Sequence, residues 1–198
     1  MKDYDYNSPA PWENLYPKKL FIDCGVTRIG NYAFSSCYGV SNQLIIPDSV
    51  KEIGDYAFCT CLNLSGQLIL GKNVRRIGKF AFNDCNNLTG PLTIPGSVTR
   101  IGIRAFAMCS GLTDRISIPD SVSIIEDGAF SECGGNRFSV ASGNAHFCEV
   151  KGVLYNSDKT DLISCPTGKS EPFDKLNVPD TVTKICDCAF CSCNDLTG

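Results

Sequence analysis

Apolar positions recur along this chain with a period of 24 residues. Val26, Val50, Val74, Val98 and Val122 share one register, and Val182 rejoins it after 60 residues. Ile29, Ile53, Ile77, Ile101, Ile125 and Ile185 follow three places later. The dipeptide Ala-Phe then returns at Phe34, Phe58, Phe82, Phe106, Phe130 and Phe190, with Cys37, Cys61, Cys85, Cys109, Cys133 and Cys193 three residues beyond. Self-similarity at one fixed period of this length is the signature of a repeat array. Within a unit, pairs such as Leu44/Ile46, Leu68/Leu70, Leu92/Ile94, Ile116/Ile118 and Leu176/Val178 alternate with period two, which predicts a short strand. Pro47, Pro95, Pro119 and Pro179 stop that strand. The Val and Ile three apart predict a second short extended or turn segment. Phe58, Cys61 and Leu64, also spaced by three, predict one face of a helical or 3₁₀ turn.

A unit this short has too little apolar surface to fold alone, so the core must form between stacked copies. The expected fold is therefore an α/β solenoid of short parallel strands and helical or 3₁₀ turns. With strands about 4.8 Å apart, the four regular steps from Val26 to Val122 climb about 19 Å. Leu44, Leu68, Leu92 and Ile116 are expected on adjacent parallel strands, and Phe34 through Phe130 in one buried column.

The array spans residues 20–198 and is interrupted at about 134–175. There Phe138 and Val140 resemble another opening strand, and Val153–Tyr155 and Asp161–Ile163 flank the turn-rich Asn156–Lys159 as a hairpin. Such an insertion either extends the sheet and shifts the pitch or protrudes as a binding element. Residues 1–19, with Trp12 and flanking prolines, read as a partial N-terminal cap or linker. Asp195–Gly198 match Asn87–Gly90, so the chain stops where another strand would begin. That reads as a fragment of a longer repeat protein or as an end that pairs with a second chain.

Composition narrows the function classes. A net charge of −3 argues against a polyanion-binding protein. No run approaches the ~20 apolar residues of a membrane helix, and residues 1–19 contain no apolar leader. Six of the thirteen cysteines fall in the Phe-x-x-Cys slot. They are expected to remain thiols, because neighbours on a stack have parallel rather than facing Cβ vectors. Cys186-x-Cys188-x-x-Cys191-x-Cys193 has metal-like spacing, but the repeat register places Cys193 in the core and so argues against zinc. His146 is the single histidine and lies in the irregular insertion. No catalytic or nucleotide-binding motif is present, so neither a catalytic site nor a cofactor is expected.

Lines such as LTIPGSVTRIGIRAFAMCSGLT and LIIPDSVKEIGDYAFCTCLNLSG resemble the BspA-like, or Treponema-type, leucine-rich repeats. The resemblance implies a right-handed solenoid and a non-catalytic bacterial protein, at the cell surface or secreted, that adheres to host or neighbouring-cell proteins. An intracellular or structural scaffold, or the non-catalytic arm of a larger protein, are the alternatives. A partner would meet the outward residues of the opening strands, Ile45, Ile69, Thr93, Ser117 and Asn177. A neighbouring stripe after each Val holds Lys51 and Arg75. Arg76, Arg100 and Lys184 share one slot and form a basic column broken by Glu52 and Ile124. Neither nucleic acid nor membrane insertion is expected.

Overall fold

The computed structural model describes residues 2–12, 16–167 and 178–193. Its strands are short: β1 (Arg28–Ile29), β2 (Glu52–Ile53), β3 (Arg76–Ile77), β4 (Leu92–Thr93), β5 (Arg100–Ile101), β6 (Arg115–Ile118), β7 (Ile124–Ile125), β8 (Arg137–Val140), β9 (Phe147–Val150), β10 (Val153–Asn156), β11 (Asp161–Ser164) and β12 (Lys184–Ile185). They stack as a parallel β-solenoid. The Val-x-x-Ile segments make the five-stranded sheet β1-β2-β3-β5-β7, with Ile29, Ile53, Ile77 and Ile101 in register and fully buried. The opening segments make β4-β6-β8, pairing Leu92 with Ile116 and Ile116 with Phe138. One coil earlier this ladder narrows to a single parallel bridge between Ile45 and Ile69. Proline keeps these segments short because it has no N–H to donate to a ladder. It also turns the chain: the Val50 and Val98 N–H groups each donate to the Pro47 and Pro95 carbonyls at 3.0 Å.

The third side of each coil departs from the helical turn that its spacing predicts. The described residues contain no helix. Instead, two residues per coil, four apart, take left-handed backbone: Tyr32 and Ser36, Tyr56 and Thr60, Phe80 and Asp84, Arg104 and Met108. Their N–H groups then point along the solenoid axis. Tyr56, Phe58 and Thr60 donate to Lys79, Ala81 and Asn83 of the next coil at 2.8, 2.7 and 2.7 Å. The alternate N–H groups close three-residue turns within the coil, as Cys59 to Tyr56 (3.2 Å) and Cys61 to Phe58 (3.3 Å). A helix would satisfy its hydrogen bonds internally and leave none for the neighbouring coil. Turns spaced by three still bury Phe58, Cys61 and Leu64 together.

The core runs through every coil to Phe130. Phe34, Phe58, Phe82, Phe106 and Phe130 stack with successive centroid distances of 5.3, 5.2, 5.3 and 5.8 Å. Leu44, Leu68, Leu92 and Ile116 are buried beside them. Close stacking requires glycine at Gly78, where an added Cβ would sit 2.5 Å from the Gly54 carbonyl carbon.

In the insertion, β9, β10 and β11 are antiparallel, and β11 continues in parallel with β12 of the last coil. The hairpin turn falls where expected. Asn156 Oδ1 closes it by accepting from the N–H groups of Thr160 and Asp161, both at 2.9 Å. The strand β9 adds an edge beyond the expected hairpin, pairing Val150 with Val153 and Phe147 with Asn156. A second, smaller apolar cluster forms here from Val153, Tyr155, Leu162, Cys165 and Ala189, with Phe190 and Cys193 half-buried against it. Leu176, Asn177 and the Asp195–Gly198 repeat lie outside the described residues.

Candidate functional site

Alternation along the opening strands decides which side chains face outward. Ile45 lies between buried Leu44 and Ile46 and is 55% exposed; Ile69, bridged to it, is 38% exposed. Thr93 is exposed and Ser117 half-buried in the same column. The described residues therefore bring four of the five stripe positions together, and Asn177 lies outside them. The repeat register also offers a position one unit earlier, at Phe21. Phe21 sits 24 residues before Ile45 and is 77% exposed. The same register arithmetic locates it. Outward Phe, Ile and Ile at one repeat position are unusual, since burial of each such side chain stabilises by roughly 1.5–3 kcal/mol.

Lys51 and Arg75 are exposed on the neighbouring stripe, where their N–H groups join a ladder from Thr27 through Lys51 to Arg75 at 2.8 Å per step. The basic column is different. Arg76 donates to Glu52 at 2.7 Å and to Asp55 at 2.9 Å, and Arg100 is paired with Glu126. Arg28 opens the column one coil before Glu52, in the slot that Arg76 and Arg100 share. It bridges Asp3 at 2.7 Å and Glu52 at 3.2 Å. Glu52 therefore does not simply break a basic run; it neutralises the arginines on both sides.

The cysteine ladder has a hydrogen-bonding role beyond filling volume. Cys61, Cys85 and Cys109 thiols donate to the Phe34, Phe58 and Phe82 carbonyls of the preceding coil at 2.9, 3.2 and 3.0 Å. Burial pushes all three well above the ordinary thiol range and Cys133 up to about 12. Thiols held protonated are poor nucleophiles. Among the described residues no three His, Cys, Asp or Glu side chains converge as a metal site. His146 is exposed, and its ring lies 6.4 Å from that of Phe147. Clefts of about 420 Å³ beside Met108 and Glu132 and about 340 Å³ beside Asp5 and Tyr32 each hold one carboxylate and no histidine. Neither supplies a pair of groups for acid–base chemistry.

The coil geometry has close counterparts. The sequence pattern of the BspA type leucine rich repeat region matches in six copies, over residues 13–136 and 168–198. The chain belongs to that family. The stretch between the two matched parts, residues 137–167, holds β8 to β11, so these strands lie outside the family's repeat pattern. A leucine-rich repeat protein from Eubacterium ventriosum is 29% identical with a TM-score of 0.81, covering 97% of this chain and 50% of its own. A Treponema pallidum leucine-rich repeat protein is 32% identical with a TM-score of 0.52, over 57% of this chain and 51% of its own. One from Bacteroides ovatus is 30% identical with a TM-score of 0.51, over 65% and 36%. This chain thus spans about half of the length of these solved relatives, or less. No curated protein matches it. BspA-type repeats place the outward stripe on a bacterial leucine-rich-repeat solenoid, an architecture suited to protein–protein contact. No helix among the described residues is long and apolar enough to cross a membrane.

Proposed function

We propose that this solenoid is a non-catalytic binding module, at the bacterial cell surface or secreted, that holds a host or neighbouring-cell protein against the outward face of its opening strands. The observation that carries this reading is the exposed, bridged pair Ile45 and Ile69, which the repeat register continues to the exposed Phe21 on one side and to the paired Thr93 and Ser117 on the other. Exposed apolar side chains aligned on a rigid ladder suit a partner that covers several coils at once. Lys51 and Arg75 flank that face and supply polar contacts at its rim. Arg76 and Arg100 act mainly within the molecule, through their acidic partners. The coil winds in the right-handed sense of its family, and residues 1–19 serve as a partial cap.

The test is capture of purified host matrix proteins by the chain immobilised on a sensor surface. The wild type is expected to bind at least one of them, and an Ile45→Asp, Ile69→Asp double variant with unchanged far-UV dichroism should bind at least tenfold more weakly. Equal binding by both proteins removes this face. A wild type that binds none of them overturns the adhesive reading.

A further inference from the structure

The thiol ladder follows one rule through three successive coils: each sulfur hydrogen-bonds the phenylalanine carbonyl one coil back, at 2.9–3.2 Å. Cys193 holds the same repeat slot but meets different surroundings, because the insertion replaces the coil that would precede it. Its sulfur lies 3.8 Å from both the Cys165 and the Pro166 carbonyl oxygens. The Cys165 sulfur is also 3.8 Å from the Pro166 oxygen. The two sulfurs therefore converge on one carbonyl oxygen, that of Pro166, each 3.8 Å from it. Backbone geometry fixes the approach. The Cys165 N–H donates to the Ala189 carbonyl at 2.7 Å, directly after the parallel pairing of β11 with β12. Both residues belong to the small apolar cluster that joins the insertion to the last coil.

We propose that Cys165 and Cys193 are a disulfide-forming pair that locks the inserted sheet to the last coil when the protein meets an oxidising thiol–disulfide buffer. The oxidant is a small-molecule disulfide, RSSR. The Cys193 thiolate attacks one sulfur of RSSR, forming a mixed disulfide and releasing RS⁻. Cys165 then loses its proton, and its thiolate attacks the Cys193 sulfur, releasing a second RS⁻. The two protons from the protein thiols convert both RS⁻ to RSH. Two protein thiols are oxidised to one disulfide, and one RSSR is reduced to two RSH. The order of attack follows from access: Cys193 is half-buried and within reach of RSSR, whereas Cys165 is buried.

A second thiol pair in the same coil provides the contrast. Cys188 and Cys191 are three residues apart on one turn, and proximity to Cys188 raises the Cys191 thiol to about 11. The Arg104 Nη2 lies 3.8 Å from the Cys188 sulfur. A bond between these two would close within a single turn and join nothing across the stack. The Cys165–Cys193 bond would span the insertion boundary.

The experiment reads the bond directly. Fully reduced protein is equilibrated, folded, in glutathione with the oxidised form in excess, quenched with acid, alkylated and digested with trypsin. Residues 160–169 and 185–198 are expected to appear as one joined species in most molecules, lighter by two hydrogens than the separate peptides. The joined species should persist in Cys191→Ser and vanish in Cys193→Ser. Recovery of residues 160–169 unjoined from the wild type overturns the proposal, as does a joined species that survives in Cys193→Ser. The wild-type digest decides the first point even where a variant fails to fold.

Discussion

The indole of Trp12 lies 5.6 Å from the ring of Phe34 at an interplanar angle of 30°, and its Nε1–H donates to the Ala33 carbonyl at 2.7 Å. A ring from outside the repeats thus continues the phenylalanine column by one step. Tyr4 meets the other side of the indole edge-on at 5.7 Å, and the Tyr4 N–H donates to the Asn31 carbonyl at 2.9 Å. Trp12 is the single tryptophan. Its emission should therefore report this docking alone, and should be blue-shifted in the folded protein. Trp12→Ala is expected to cost about 2 kcal/mol, less than a fully buried aromatic because the indole is half-exposed. Urea unfolding followed by far-UV dichroism measures the loss. No change in midpoint would mean that Phe34 is covered by something other than the indole.

The thiol ladder ties stability to pH. Cys61, Cys85, Cys109 and Cys133 titrate higher in the folded protein than the ~8.5 of an unfolded cysteine, because burial disfavours the thiolate. A pKa raised by folding contributes stability that is fully present below about 8.5 and is lost as pH rises towards the folded value. Unfolding free energy in the presence of reductant should therefore fall between pH 8.5 and 10. Each such thiol contributes a slope of at most about 1.4 kcal/mol per pH unit. Cys109→Ala should make that decline shallower by about one proton's share. A decline of unchanged steepness would show that the thiol does not stay protonated on folding.

Thr60 occupies a left-handed slot with φ of 58°, although it is β-branched. That conformation costs an L-residue roughly 1–2 kcal/mol, and a branched Cβ is among the least suited to it. The position persists because the Thr60 N–H donates to the Asn83 carbonyl of the next coil at 2.7 Å. Thr60→Asn keeps that donor in a residue that tolerates the conformation. It should raise stability by up to about 1 kcal/mol, read as a higher urea midpoint. Thr60→Pro should lower it sharply, by removing the donor and forbidding positive φ. A destabilised Asn variant would contradict this account of the turn ladder.

Register was legible in the sequence because identical residues at Val50, Val74 and Val98 must occupy identical places in a stack. The same arithmetic gave the inward and outward sides of each opening strand, and it reaches Phe21 and Arg28 when carried one unit further back. Backbone conformation was not legible in the turn segment. Phe58, Cys61 and Leu64 bury together whether they sit on a helix or on successive three-residue turns, so burial spacing cannot separate the two. The deciding fact is where the Tyr56, Phe58 and Thr60 N–H groups go, and that depends on the neighbouring coil. Charge compensation was hidden for a similar reason. Asp55 belongs to a different slot from Arg76, and Glu126 to a different slot from Arg100, yet each pair meets in space. The β9 strand has no repeat partner in the sequence to reveal it.

The binding face is tested most directly by photo-crosslinking. A benzoylphenylalanine placed singly at Ile45, at Ile69 or at Asp158 samples the strand face and the exposed tip of the inserted hairpin separately. Each folded variant is irradiated with a matrix protein that the wild type captures. Adducts are expected from positions 45 and 69, and none from position 158. Adducts from position 158 with none from 45 or 69 would contradict the account and move the contact to the insertion.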